Sequence, residues 1–338
     1  MNAKPKILFA SLGVLTFTLA CAMLSAPSPT AVTSPDVLSF PLPTPTSTPA
    51  PIACPVITDE AIRLALVENE TSHNHILDRN VLLVSYSIVN EELTKPDLNP
   101  FVSDFKELQR DRETHTRVWK YFSTIIPAER RDFLKEYIII TDGESGIYAA
   151  VGQTENAADE WALLVDIVDT ENNYQLTYTF IHEYAHLLTL GPDQVPPDLE
   201  LFENREDSTA YFQALADCFT YFTGEGCSNP GSYMDDFYNA FWLDIYDEWN
   251  KIDFETDEEE YYEKLEGFYE KYQDRFVTDY AVTSPEEDIA ETFSFFILAP
   301  KPAGKTIAEQ KVLFFYARPE LVALREELLN NICTNFPQ

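Results

Sequence analysis

The 338-residue chain reads as an α+β protein, with a small mixed sheet in its first half and a largely helical second half, and three features indicate this. Segments 137–140 (YIII) and 161–168 (WALLVDIV) are short, apolar and rich in branched residues, and the first runs into Thr-Asp-Gly, as buried strands do. From residue 174 onward the apolar positions recur with helical spacing. With 45% apolar and 24% charged residues the chain can bury a substantial core, which excludes intrinsic disorder and an integral membrane protein.

The chain divides into three stretches. Lys4 and Lys6 precede an apolar run over 7–20 that is shorter than the roughly 20 residues a membrane-spanning helix needs. A basic start with a short apolar run reads as a secretory signal peptide, 1–20. Thr18-Leu19-Ala20-Cys21 resembles a bacterial lipobox, in which Cys21 becomes the lipidated first residue of an extracellular, cell-surface lipoprotein. Cleavage after Ala22, with release of the protein, is the competing reading. The lipid is favoured because 21–55 is dominated by Pro, Thr, Ser and Ala, an extended tether that cannot pack a core. Residues 56–338 form the folded domain, an α/β half (56–190) and a helical half (191–338).

Within that domain 56–136 is expected to be mainly helical, with an amphipathic, turn-rich start at 60–70 and helical spacing at 105–122 and 128–136. Strands follow at 137–140, 146–151 and 161–168. A helix over 174–190 stops at Gly191-Pro192, a strong terminator. Further helices are expected at 208–223, 233–251, 258–276, 284–298, 306–315 and 318–331. The acidic run 253–260 reads as a solvated helix start, because it lacks the Asp-x-Asp-x-Asp-Gly loop of an EF-hand.

Charge narrows the partners. Against 23 Lys+Arg stand 57 Asp+Glu, a formal net of -34. Such a surface repels phosphate backbones and anionic bilayers, so nucleic acid is excluded and membrane contact is left to the N-terminal lipid. Setting Cys21 aside leaves four cysteines for an oxidising compartment. Cys218 and Cys227 are expected to close a local loop, and Cys54 and Cys333 to tie the start of the domain to its end.

The chemistry is carried by His182-Glu183-Tyr184-Ala185-His186, an HExxH motif on the 174–190 helix. Residues four apart share a helical face, so both rings can reach one Zn²⁺ at about 2.0–2.1 Å while Glu183 addresses a water beside it. Chance produces such a motif on the order of once per hundred chains of this composition. A catalytic zinc keeps three protein ligands and one open position. His73, His75 and His115 lie upstream in polar segments and are expected in surface loops.

Tyr280, Glu287 and Glu291 follow downstream, and an HExxH with a later glutamate resembles the gluzincin metallopeptidases. More narrowly, the tyrosine, the glutamate seven residues on and the glutamate four after that are similar to the catalytic domain of the anthrax lethal factor family. The resemblance covers about 137–298. It implies a zincin-like fold, Glu287 as third ligand, Glu291 as an outer partner that orients His182 or His186, and Tyr280 as transition-state donor. The long interval between His186 and Glu287 then reads as a helical insertion.

Ser284-Pro285-Glu286-Glu287 also fits a capping box, a second use for Glu287, although Thr283 with Glu286 would cap equally well. Ligation is weighted above capping, because Glu287 borders apolar positions where an unpaired carboxylate is costly, while Asp288 shares a polar arc with Thr292. The strand at 161–168 offers a sheet edge for an extended peptide, or is an ordinary interior strand. The expected function is zinc-dependent hydrolysis of peptide bonds in peptide or protein substrates, with Glu183 as general base. The alternatives are a catalytically inactive zinc-bearing adhesion or binding module and an envelope scaffold with an accidental motif.

Overall fold

The computed structural model describes residues 81–143, 149–204 and 208–335. The expected signal peptide, tether, Cys21, Cys54, His73, His75 and the 60–70 segment lie outside the described residues, as does the Cys54 side of the expected Cys54–Cys333 pairing.

Six strands make one mixed sheet: β1 (Val81–Val89), β2 (Glu92–Leu93), β3 (Asp97–Leu98), β4 (Leu134–Thr141), β5 (Ala149–Gln153) and β6 (Trp161–Asp166). Their order is β2-β1-β4-β6-β5, with β3 also on β1. The β4–β6 pair is parallel; β1–β4 and β5–β6 are antiparallel. β4 and β6 are the most central strands, and all six residues of β6 are buried, as expected of near-continuous apolar runs covered on both faces.

The structure corrects the reading of 56–136. β1 stands at 81–89, and the region expected to be helical at 128–136 is a single 3₁₀ turn (Ala128–Arg130) followed by the start of β4. Leu134 pairs with Trp161, so the strand begins earlier than its branched run suggests. The helices expected near 105–122 are α1 (Lys106–Arg110) and α2 (Arg112–Ile125). His115 is fully buried rather than on a surface loop, with Nδ1 2.8 Å from the Tyr86 hydroxyl and Nε2 2.9 Å from the Leu108 carbonyl.

α3 (Asn173–Leu190) follows the sheet directly. Asn172 caps it, its side chain accepting from the N–H groups of Tyr174 and Gln175. At its other end, a Cβ on Gly191 would sit 2.6 Å from the Leu187 carbonyl oxygen and 2.7 Å from the Phe133 ring, so only glycine fits. Almost every residue of α3 is buried, the pattern of a helix apolar on all sides and enclosed by the domain.

The rest is mostly helical: α4 (Leu199–Glu203), α5 (Ser208–Asp217), α6 (Tyr233–Phe241), α7 (Tyr246–Asp253), α8 (Glu258–Tyr272), α9 (Pro285–Leu298), α10 (Ile307–Tyr316) and α11 (Pro319–Asn335). The helix expected over 208–223 stops at Asp217, where a loop closed by the Cys218–Cys227 disulfide takes over. The one expected over 233–251 is split at Trp242, whose ring is wholly buried. α9 packs along α3, and α11 returns to α2, where Asn331 donates to the Ile125 carbonyl at 3.1 Å. One hydrophobic core therefore runs through both halves. No helix among the described residues is long and apolar enough to cross a membrane.

Candidate metal centre

The two helices that carry the candidate ligands meet side by side. From α3, Tyr178, His182 and His186 recur every fourth residue and share one face. From α9, Glu287 and Glu291 do the same. Ser284 caps α9 by accepting from the Glu287 N–H at 3.1 Å, with Pro285 in the first turn. That cap uses only the backbone of Glu287 and leaves its carboxylate free. Capping and ligation are thus compatible. The alternative Thr283–Glu286 box does not form: Thr283 Oγ1 donates to the Tyr280 carbonyl, and Glu286 accepts from the Tyr221 hydroxyl at 2.9 Å.

Three acceptor atoms converge. His182 Nε2 lies 3.0 Å from Glu287 Oε2 and 3.1 Å from His186 Nε2, and His186 Nε2 lies 3.4 Å from Glu287 Oε2. A tetrahedral ion at about 2.0–2.1 Å from each ligand separates them by about 3.3–3.4 Å, close to this triangle. His182, His186 and Glu287 are all buried and form the one group of its kind among the described residues, so the site can hold a metal ion.

Hydrogen bonding strengthens the fit. His182 Nδ1 is 2.8 Å from Glu291 Oε1, so in the neutral ring the proton is on Nδ1 and the Nε2 lone pair faces the Glu287 carboxylate. Two acceptors 3.0 Å apart repel unless a cation lies between them. In the metal-free protein a proton serves. Burial works against charging His182, but hydrogen bonds and negative charge from Glu287 and Glu291 outweigh it and hold the ring well above its ordinary pKa. Glu287 mirrors this: burial pushes it up, yet electrostatic attraction to the His186 ring and the hydrogen bond from His182 hold it far below the usual carboxylate range. Nδ1 of His186 is buried and meets no protein partner among the described residues, so Glu291 orients His182 and not His186.

Around the triangle, burial raises the carboxyl of Glu183, and His182, His186 and a hydrogen bond from the backbone of Val151 on β5 oppose it. Tyr280 sits in a 3₁₀ turn, its ring 6.0 Å from that of His182 and its hydroxyl bonded to Glu287. Burial, then the charges of Glu287, Glu183 and Glu291, keep that hydroxyl protonated and a donor. Burial also pushes Glu286 up to about 7.

Two residues escaped the sequence reading. Tyr178 Oη and Thr278 Oγ1 donate to the same oxygen of Glu291, at 2.9 and 2.7 Å. Tyr178 was within reach, four residues before His182 on the same face. Thr278 carries no signal of its own. Of the two readings of 161–168, edge or interior, the strand is interior between β4 and β5, and the terminal strand of the sheet next to α3 among the described residues is β5.

No family model, curated protein or solved structure matches the chain.

Proposed function

We propose that this chain is a zinc-dependent peptidase of the gluzincin type with a zincin-like fold, exported and held at a bacterial cell surface through Cys21. The observation that carries the reading is the convergence of His182, His186 and Glu287 beside Glu183 and Tyr280. The two imidazoles and the carboxylate would hold the zinc. When bound there, zinc supplies a Lewis acid that polarises a scissile carbonyl and acidifies a water.

The remaining work falls to the chain. Glu183, its carboxyl raised by burial, takes the proton of the attacking water and passes it to the leaving amine. Tyr280, protonated and next to Glu287, turns its hydroxyl to the oxyanion that develops on the carbonyl. β5, the terminal strand beside α3, is where an extended peptide would add to the sheet alongside Glu183. The Cys218–Cys227 disulfide fits an oxidising compartment.

Elemental analysis and peptide hydrolysis test this together. Wild type is expected to retain about one zinc per chain, and His186→Ala and Glu287→Ala to lose it. Glu183→Gln is expected to keep the metal while turnover falls by about 10²–10⁴. Cleavage by Glu183→Gln at the wild-type rate overturns its role as base. Burial of His182, Glu183, His186 and Glu287, each less than a tenth exposed, favours one second reading, a zinc-bearing surface module without turnover. Zinc retained with no cleavage of any peptide in a library would select it.

A further inference from the structure

Asp288, the residue after Glu287, was expected on a polar arc with Thr292; both are wholly buried. The Asp288 carboxylate accepts from Lys311 Nζ of α10 at 2.5 Å, from Trp242 Nε1 at 2.7 Å and from Thr292 Oγ1 at 3.3 Å. Lys311 is itself fully buried. Its ammonium lies 4.3 Å from the Phe276 ring centre, 5.7 Å from Trp242 and 5.8 Å from Phe237, and Asp288 is its one ion-pair partner among the described residues.

Such a pair is a poor source of stability. Removing both charges from water offsets most of their attraction, and apolar side chains of similar volume commonly do as well. What the pair supplies is geometry. An ammonium and an indole N–H on one oxygen tolerate little rotation, whereas an apolar face can slide.

The lever is short. A turn of α9 by about 10° moves a carboxylate about 5–6 Å from the axis by about 1 Å. Metal–ligand distances tolerate only about 0.2 Å. Ser284 holds the start of the same turn through its cap, and Glu291, one turn on, ties α9 to Tyr178 and His182 of α3; the Asp288 pair is the polar restraint towards α10. We propose that the Asp288–Lys311 pair, with Trp242, is a positioning element of the candidate metal centre: together with Glu291 on the α3 side, it sets the rotation of α9 that brings Glu287 onto His182 and His186. This rests on the reading of Glu287 as a metal ligand.

The test is Asp288→Leu with Lys311→Met, which removes both charges and keeps an apolar filling. Three quantities are measured on the purified chain: the thermal midpoint without metal, zinc affinity by competition with a chromophoric chelator, and a crystal structure of the metal-free variant. The expected result is a midpoint equal to wild type or higher, zinc affinity about tenfold or more weaker, and the Glu287 carboxylate displaced by about 1 Å. Zinc affinity within about twofold of wild type and an unmoved carboxylate overturn the proposal. Should the leucine variant not fold, Asp288→Asn with Lys311→Met retains the acceptor for Trp242 and is expected to shift zinc affinity the same way by less. If wild type binds no zinc, the ligand reading has failed. The crystal structure then decides the positioning role alone, a displaced carboxylate supporting it and an unmoved one overturning it.

Discussion

Glu287 and Asp288 are consecutive, acidic and buried, yet they are completed in opposite ways. Asp288 meets a lysine, an indole and a hydroxyl, so the chain itself supplies the cation and the donors. Glu287 faces the Nε2 atoms of two imidazoles, and in neutral His182, whose Nδ1–H donates to Glu291, that Nε2 is an acceptor. One carboxylate is closed by a resident lysine; the other lacks a permanent cation, a protonated His182 standing in for it without metal. That shortfall, rather than burial or an unusual pKa, separates a buried acid that can hold a metal ion from one that fixes the fold.

The comparison is broken most directly by removing the resident cation. Lys311→Met alone leaves Asp288 buried with two neutral donors, and is expected to lower unfolding free energy by about 3–5 kcal/mol in denaturant titrations. His186→Ala in metal-free protein should cost clearly less, because Glu287 keeps His182. Equal losses would mean that both carboxylates are completed by the chain and that no metal is called for.

Glu291→Gln sharpens the other side. The amide still fills the space but no longer attracts the Nδ1 proton of His182 as a carboxylate does, so zinc affinity should fall by about 10–100-fold in chelator competition. Unchanged affinity would show that Glu291 does not set the tautomer of the ligand ring.

The metal centre also makes a prediction about pH. His182 is raised in the folded state, so the stability it contributes without metal is present below its unfolded pKa and lost as pH rises through the folded value. Glu287 is depressed, so its contribution is present above the ordinary carboxylate range and lost as pH falls through its lowered pKa. Together they stabilise the metal-free protein between those limits. A zinc ion bound there would have to displace the His182 proton, so its affinity is expected to rise about tenfold per pH unit until the raised His182 value is passed. Metal-free stability and zinc affinity should therefore run in opposite directions as pH rises from near neutral. Zinc affinity flat across that range would show that no proton occupies the place of the ion.

The site was more legible in the sequence than the sheet was. HExxH fixes two rings by spacing alone, and the resemblance to the gluzincins and the lethal factor family pointed to Tyr280, Glu287 and Glu291, which lie on one turn and one helix. β1 was missed because an apolar run such as VLLVSYSIV does not declare its period, and its strand state follows from pairing with β4 about fifty residues later. The start of β4 was missed for the same reason, since Leu134 takes its partner from Trp161. His115 was misplaced because charged neighbours suggested a loop. Its spacing to Val118, Trp119 and Phe122, all buried on the inner side of α2, was the available clue. The Asp288–Lys311 pair left no trace: two charged residues 23 apart look solvated until the fold shows that neither reaches water.

The smallest expected effect tests how far outward the control of His182 extends. Tyr178 and Thr278 share one oxygen of Glu291, while the other oxygen holds His182 Nδ1. Tyr178→Phe removes one donor and leaves the second, so stability should fall by about 1 kcal/mol and zinc affinity by a factor of a few. Adding Thr278→Val strips Glu291 of both. A buried carboxylate without those donors is costly, so it gains a proton more readily and holds His182 less firmly. The combined loss in zinc affinity should then exceed the product of the two single losses and approach that of Glu291→Gln, because the residues act through one acceptor. Strictly multiplicative losses would mean that Tyr178 and Thr278 act through packing, and that the control of the metal centre ends at Glu291.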